Sequence, residues 1–145
     1  MPLISAAHVY TKYANELVHK LDNLAADALK VMLLSAYVPD RDNHEFVHDV
    51  LLAGTEEVGA GYTRLTATGV VVSTTGHVVE ATCNNIAWTG ATIGSAFAVF
   101  YDGTPGTDAT NPVICYWDFG GVQHDTAGSF VLSVAPSGLL TMTVA

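Results

Sequence analysis

The scarcest feature of this chain is positive charge. The sequence has five lysines and arginines against fourteen acidic residues, and its net charge is −9. No basic residue follows Arg64, so the whole stretch from Leu65 to Ala145 lacks a positive side chain. Proteins that bind nucleic acids or anionic membrane surfaces use clustered Lys and Arg to displace counterions or to contact headgroups. The composition therefore argues against both kinds of partner.

Long apolar runs and cysteines are also scarce. No apolar run approaches the roughly 20 residues that a membrane-spanning helix needs. The N-terminal "MPLISAAHVYTKYANELVHK" lacks the basic stretch and apolar core of a secretory signal, so we expect a protein made and used without export. Cys83 and Cys115 are the only cysteines, and each lies in an apolar run, where a buried reduced thiol is expected. Their spacing is not that of a zinc site.

Length and composition predict one globular domain. The chain has 145 residues, of which 50% are hydrophobic and 13% are charged, enough to bury a core. We expect a single domain, 1–145, made of an N-terminal arm (1–8), an amphipathic helix (9–24) and a β domain (27–145). The helix is predicted because apolar residues recur every three or four positions along its first turns.

The β domain is predicted from short β-branched and aromatic runs between turn residues. Asp27–Val38 contains a continuous apolar run, and Ser95–Asp102 has apolar residues on both faces, so both predict buried strands. Thr74-Thr75-Gly76 predicts a tight connection, and Ala135–Gly138 suits a type I turn. About seven such strands favour a mainly β fold: an antiparallel β-sandwich or jelly-roll-like domain with one N-terminal amphipathic helix.

The β domain has little of the lysine that protects exposed sheet edges in soluble proteins. Two interpretations follow: its edges and faces contact other copies or a partner, or the edges are short and covered by the protein's own loops. The mostly uncharged N-terminal arm suits a segment that lies along a partner, and a frayed terminus is the alternative. The interface candidates in this region are Leu3, Ile4, Val9 and Tyr10.

The segment His44-Glu45-Phe46-Val47-His48 matches the H-E-x-x-H pattern of zinc peptidases. On a helix, this spacing puts both histidines on one face to bind zinc and the glutamate beside the metal-bound water. Asn43 is a suitable cap for such a helix, and Gly54 is suited to end it.

A third zinc ligand is missing from the sequence pattern. The metzincin extension would place glycine and histidine where the chain has Leu51 and Gly54, and no later helical segment supplies the glutamate of the gluzincin pattern. We therefore treat His44 and His48 as weak metal candidates only and expect a solvated helix face. We expect no catalytic residue, no metal and no cofactor.

Other candidate sites are also weak. The loop "DGTPGTD" is conceivable as a Ca²⁺ site, although the EF-hand spacing is absent. The loop "GTEEVGAG" lacks the lysine of a P-loop. A carboxylate pair for glycoside hydrolysis would come from the aspartates of the β domain, most of which are expected in loops and turns: Asp102, Asp108, Asp118 and Asp125. Of these, Asp118 is expected to cap the Gly-Gly turn that follows it.

Aromatic side chains are the remaining candidates for ligand binding. A glycan-binding module would use exposed ring faces for stacking, whereas core packing is the expected use of these rings. The rings in question belong to Trp88, Tyr116 and Trp117.

The order of segments resembles that of small tailed-bacteriophage virion structural proteins of the capsid decoration or minor capsid type. The resemblance rests on "ALKVMLLSAYVPDRDNHEFVHDV", "EVGAGYTR", "NNIAWTGATIGSAFAVFYDG", "NPVICYWDFGG" and "GSFVLSVAPSGLLTMTV", which together extend over most of Ala28 to Val144. In that pattern His44, Phe46, Asp49 and Val50 are the recurring positions, and Glu45 and His48 are not. The chain departs from it at Gly94-Ser95-Ala96, where many such proteins have an arginine.

The resemblance implies a non-enzymatic virion component. We expect a decoration (cement or minor capsid) protein on the outer capsid surface, present in the host cytoplasm during assembly. Its partner would be the major capsid protein, and it would act as a symmetric homo-oligomer, with a trimer favoured. A tail- or fibre-associated virion protein, a glycan- or receptor-binding β module and, last, a zinc metallohydrolase are the alternatives.

Overall fold

The computed structural model describes residue 4, residues 6–18 and residues 23–143. The interface candidate Leu3 and residues 19–22 of the predicted helix lie outside these residues. Within the described part of the chain, no helix is long and apolar enough to cross a membrane.

The described residues form two antiparallel sheets and two short helices, so the predicted mainly β fold is confirmed. The elements are β1 (Ala6–Val9), α1 (Thr11–Val18), β2 (Leu29–Tyr37), α2 (Val47–Leu52), β3 (Gly54–Glu56), β4 (Leu65–Thr66), β5 (Val71–Thr75), β6 (Val78–Thr82), β7 (Ile86–Asp102), β8 (Val113–Leu132) and β9 (Leu140–Thr143). The large sheet has the order β1-β8-β7-β2-β3, with β4 also paired to β2. The small sheet has the order β5-β6-β9.

The core lies around the three central strands of the large sheet. Leu29 and the run Val31–Leu34 of β2 are buried, as the continuous apolar run predicts. In β7, Ala98, Val99 and Phe100 are all fully buried although they alternate between faces, so this strand is covered on both sides, as predicted. β7 and β8 form one long hairpin, and the half of it that lies between β1 and β2 is apolar because it is central in the sheet.

The N-terminal region differs from the predicted arm and helix. Residues Ala6–Val9 form an edge strand that pairs with β8, so Val9 belongs to a strand and the helix begins at Thr11. The three- and four-residue spacing of apolar residues begins by chance at Val9, inside this strand. For that reason the pattern predicted a helix start two residues too early. A second short helix, α2, begins at Val47, near the end of the H-E-x-x-H segment, and extends beyond it.

A bulge interrupts β8 beside the predicted turn at Asp118. Between the pairs Phe97↔Asp118 and Ser95↔Gln123, β8 contains three more residues than β7. Gly120 and Gly121 have φ values of 72° and 147°, which side-chain-bearing residues rarely adopt. The Asp118 carboxylate accepts a hydrogen bond from the Gly120 N–H at 2.7 Å, so its predicted capping role is confirmed.

The small sheet contains the predicted hairpin with a shifted turn. Gly76 and His77 form the two-residue connection, and Gly76 has a φ of 61°, so Thr74 and Thr75 belong to β5. The turn at Ala135–Gly138 is as predicted, because the Gly138 N–H donates to the Ala135 carbonyl at 2.8 Å. This turn leads into β9, the third strand of the small sheet.

Both cysteines are free and buried, which confirms the predicted reduced state. Burial raises the pKa of the Cys83 thiol and of the Cys115 thiol above the ordinary value, so both stay protonated near neutral pH.

Candidate functional site

The two histidines of the H-E-x-x-H segment do not share a helix face. Helix α2 begins at Val47 with Phe46 as its N-cap residue, so His44 precedes the helix and His48 lies in its first turn. The His44 ring is directed toward Tyr37, whose hydroxyl lies 2.7 Å from His44 Nδ1, whereas His48 is exposed. Among the described residues, no group of three or more His, Cys, Asp or Glu side chains is arranged to hold a metal ion.

His44 ends a chain of hydrogen bonds that starts in the core. The Tyr10 and Tyr37 hydroxyls lie 2.7 Å apart, and the Asp40 N–H points at His44 Nδ1 from 3.4 Å. Because a backbone N–H can only donate, we assign His44 Nδ1 as an acceptor, so Tyr37 donates to His44 and Tyr10 donates to Tyr37. Burial raises the pKa of both tyrosines, which keeps the phenols protonated. The chain links the N-terminal segment, β2 and the loop before α2.

The N-terminal interface candidates occupy different environments. Tyr10 is fully buried and packs within the chain's own core, and Val9 is partly buried in β1. Ile4 is 41% exposed. Ile4 therefore has more surface open to a partner than the other described candidates.

A second polar cluster, which the sequence analysis did not single out, is centred on Arg64. Its Nε and Nη2 atoms each lie 2.7 Å from a different carboxylate oxygen of Glu56, and its Nη1 lies 2.6 Å from Asp108 Oδ1. The Tyr62 hydroxyl donates to Glu56 Oε1 at 3.0 Å, and the Arg64 guanidinium lies 5.7 Å from the centre of the Tyr101 ring. The hydrogen bonds that the guanidinium donates to Glu56 raise the pKa of Arg64 most, and those that it donates to Asp108 raise it further. One cation thus joins two carboxylates that are far apart in sequence.

Glu57 is the buried acid of the described residues with the most hydrogen bonds. Its Oε1 accepts from the N–H groups of Val58 and Gly59, and its Oε2 accepts from the Gly94 N–H and the Ser95 hydroxyl, at 2.7 to 2.9 Å. Burial alone would raise the pKa of the Glu57 carboxyl, but these donors, with Gly94 and Ser95 foremost, lower it below the ordinary value. The carboxylate fixes the loop after β3 onto β7 at Gly94-Ser95, where the resemblance would place an arginine.

The aspartates of the β domain have separate structural partners. In the "DGTPGTD" loop, Asp102 is buried and accepts a hydrogen bond from the Thr104 N–H at 2.8 Å, while Asp108 pairs with Arg64. The two carboxylates are therefore directed to different partners and do not converge on one cation. Among the described residues they belong to no group of three His, Cys, Asp or Glu side chains arranged to hold a metal ion, so the Ca²⁺ site considered from the sequence is not assembled.

The aromatic residues considered for glycan stacking are buried. Trp88 stacks on Tyr62 with ring centres 6.2 Å apart and donates its Nε1–H to the Thr63 carbonyl at 2.7 Å. Trp117 packs on Phe100 with ring centres 4.9 Å apart, and Tyr116 is also buried. Their use in core packing is confirmed.

The small sheet presents three exposed apolar side chains beside a groove. Val71, Val72 and Met142 are 54%, 42% and 50% exposed. One face of this sheet lines a groove of about 330 Å³ together with residues of α1 and of the turn after it. The residues lining the groove are Leu17, Asn23, Leu24, Ala25, Val72, Val79, Ala81, Leu140 and Met142. We define the "β5 surface" as strand β5 together with the groove face that Val72, Val79 and Met142 form beside it.

Comparison of the chain with protein-family models, with curated proteins and with solved structures found no match.

Proposed function

We propose that this chain is a non-enzymatic structural protein of a tailed-phage virion, and specifically a capsid decoration protein. In this proposal it is made in the host cytoplasm, binds the outer face of the shell and bridges neighbouring subunits of the major capsid protein. It acts as a homo-oligomer, for which the resemblance favours a trimer.

The observation that carries the proposal is the β5 surface. It combines an uncharged edge strand with exposed valine and methionine side chains beside an apolar groove. Soluble proteins usually protect such edges with charges or cover them, because uncovered edges pair with other chains. A surface of this composition suits a protein whose working state is bound within an assembly.

The motifs behind the resemblance have structural roles in this fold. In "GYTR", Tyr62 and Arg64 hold Glu56 and Asp108 together. The "FYDG" and "PVICYWDFG" segments form the buried inner half of the β7–β8 hairpin. The residues behind the resemblance thus build an ion pair and a core, which is compatible with the structural role proposed for the chain.

Decoration would stabilise the shell by mass action. A protein that binds the assembled shell but not free capsid subunits stabilises the shell by RT ln(1 + [L]/Kd), about 2.7 kcal/mol per site at a concentration of 100 Kd. The expected effect is a higher temperature of shell disruption when the protein is added to undecorated particles.

Copy number in purified particles tests the proposal. Quantitative mass spectrometry should find the chain in hundreds of copies per particle, in a fixed ratio to the major capsid protein. A handful of copies would contradict capsid decoration in favour of a tail position, and absence from particles would contradict the virion role altogether.

A matched pair of variants tests the role of the β5 surface. Val72→Glu places a charge on this surface and should reduce incorporation into particles at least tenfold. Val58→Glu makes the same change at a valine in the loop after β3, where the side chain is 91% exposed, and should be incorporated normally. Equal incorporation of both variants would show that the β5 surface does not contact the shell.

A further inference from the structure

The outer edge of β5 carries backbone groups that another strand can pair with. β5 has β6 as its neighbour in the small sheet, and the two are joined by a two-residue turn between Thr75 and Val78. In such a hairpin the residues flanking the turn form a hydrogen-bonded pair, and hydrogen-bonded pairs alternate with non-bonded ones. The N–H and C=O groups of Val72 and Thr74 therefore point away from β6. Within the described part of the chain, these groups have no backbone partner.

The sequence of β5 is compatible with antiparallel pairing to itself. If Val72 of one copy lies opposite Thr74 of another, Ser73 lies opposite Ser73 on a two-fold axis. Both copies then present their outward groups to each other, which makes about four hydrogen bonds. The side chains that meet are valine, threonine and serine, so this register brings no like charges together even though each copy has a net charge of −9.

The apolar groove face continues across the same axis. Val72 lies opposite Ala81, and Val79 lies opposite Met142, so these residues form one side of the small sheet. Pairing two β5 strands would place the two groove faces side by side and reduce the exposure of Val72, which lies on the paired strand, whereas Met142 lies on β9, the outermost strand, and keeps its exposure.

We infer that β5 is a self-association edge: two copies pair antiparallel through Val71–Thr75 about a two-fold axis at Ser73. The product is a continuous six-stranded sheet with the order β9-β6-β5-β5-β6-β9. This inference does not rest on the proposed capsid function: it uses the backbone edge of β5, and the groove face beside the paired strands stays open to the shell. It differs from the favoured trimer, because a closed three-fold ring needs a head-to-tail contact, whereas β5 supplies a contact that is the same on both copies.

The expected affinity is modest. A five-residue pairing with part of an apolar face is smaller than the roughly 1,200 Å² of total buried surface at which stable interfaces begin. We therefore expect a monomer–dimer equilibrium with a Kd between about 10 µM and 1 mM.

Cysteine cross-linking tests the register. In a non-hydrogen-bonded antiparallel pair the two Cα atoms lie about 4.5 Å apart, within the range that a disulfide spans. Under mild oxidation, Ser73→Cys should form a disulfide-linked dimer at least ten times faster than Thr75→Cys. Thr75→Cys is the control: it lies on the same strand, but in this register it faces Val71 of the other copy and therefore has no cysteine opposite it. The native Cys83 and Cys115 are buried and should not contribute. Equal cross-linking rates would overturn the two-fold register.

Sedimentation of the full chain tests the edge itself. Thr74→Pro removes an outward N–H that β6 does not use, so the hairpin should be retained while the dimer is lost. If that variant fails to fold, Ser73→Lys places two like charges opposite each other on the axis, and Thr141→Lys on the exposed β9 strand is its matched control. We expect Ser73→Lys to weaken dimerisation at least tenfold and Thr141→Lys to leave it unchanged.

Three outcomes would overturn the inference. In the first, the wild-type chain stays monomeric up to about 1 mM. In the second, the chain forms an oligomer that neither β5 variant affects. In the third, the β5 edge becomes protected from hydrogen exchange only when capsid shells are added. The last outcome would assign the edge to a capsid strand and would leave the proposed function standing.

Discussion

Replacing Glu57 by glutamine gives the sharpest test of how this fold is held together. Glu57→Gln keeps the size and shape of the side chain but exchanges one carboxylate oxygen for an NH₂ group. Each oxygen accepts two hydrogen bonds: both bonds to Oε1 come from backbone N–H groups, of Val58 and Gly59, and one of the two bonds to Oε2 comes from the backbone N–H of Gly94. Whichever way the amide is turned, its NH₂ group faces a backbone donor that has lost its acceptor.

The magnitude follows from these contacts. Hydrogen bonds to a charged group contribute about 1.5–3 kcal/mol each, and a buried donor left unsatisfied costs about 1–3 kcal/mol. Because Glu57 is buried, solvent does little to replace the lost bonds. We expect Glu57→Gln to lower the free energy of unfolding by about 3 kcal/mol at pH 7.

The pH dependence has a definite sign. The pKa of Glu57 is lowered in the folded state, so its stabilising contribution is complete above the unfolded-state value near 4.5 and is lost as pH falls through the folded value. The difference between the wild type and Glu57→Gln should therefore be constant from pH 8 to about 5.5 and should shrink below about pH 4.5.

Urea unfolding followed by tryptophan fluorescence measures both effects. Glu45→Gln is the matched control, because the Glu45 side chain forms no ion pair or hydrogen bond with the described part of the chain. That control should stay within about 0.5 kcal/mol of the wild type. A Glu57→Gln variant that is no less stable than Glu45→Gln, or a difference that grows as pH falls, would refute the reasoning.

Three further predictions concern the other polar clusters. Arg64→Met should lower Tm by about 4–8 °C, equivalent to about 2 kcal/mol. Arg64→Lys should recover less than half of that loss, because lysine cannot make the bidentate contact with Glu56, and a full recovery would contradict the assigned geometry. Tyr10→Phe removes the buried hydroxyl that pairs with Tyr37 and should cost about 1 kcal/mol in denaturant unfolding, whereas no change would contradict a stabilising role for this hydrogen bond. Metal analysis of the purified protein should find no stoichiometric zinc, and added zinc should leave Tm unchanged; near-stoichiometric zinc that is lost in His48→Ala would revive the metallohydrolase alternative.

The parts of the fold that the sequence predicted well are those with local signals. The apolar run of β2 and the two-sided apolar pattern of β7 each extend over a strand length, so they could be recognised without knowledge of their neighbours. The turn at Ala135–Gly138 and the cap by Asp118 also follow from residues within three positions of each other.

The parts that the sequence did not predict depend on distant residues. Arg64 contacts Asp108, and Glu57 contacts Gly94, through loops whose course is set by the packed sheet. The only local signal was that Arg64, the last basic residue of the chain, closely follows an acidic loop. The H-E-x-x-H match failed as a site for a related reason: ligand geometry requires one continuous helix, and α2 begins after His44.

The pairing of β1 with β8 has a consequence for how the protein is made. Val9 pairs with Cys115, so a strand from the first residues completes the sheet beside a strand near the other end of the chain. At 5–20 residues per second, a ribosome needs roughly 5–20 s to synthesise the intervening hundred or so residues. During that time the N-terminal strand has no template, and the apolar side chains of β2 lack their neighbour β7 until residue 102 has been added. Synthesis therefore leaves the nascent chain open to chaperones or to other copies until β8 emerges, and premature termination before β8 removes the strand that both β1 and β7 pair with.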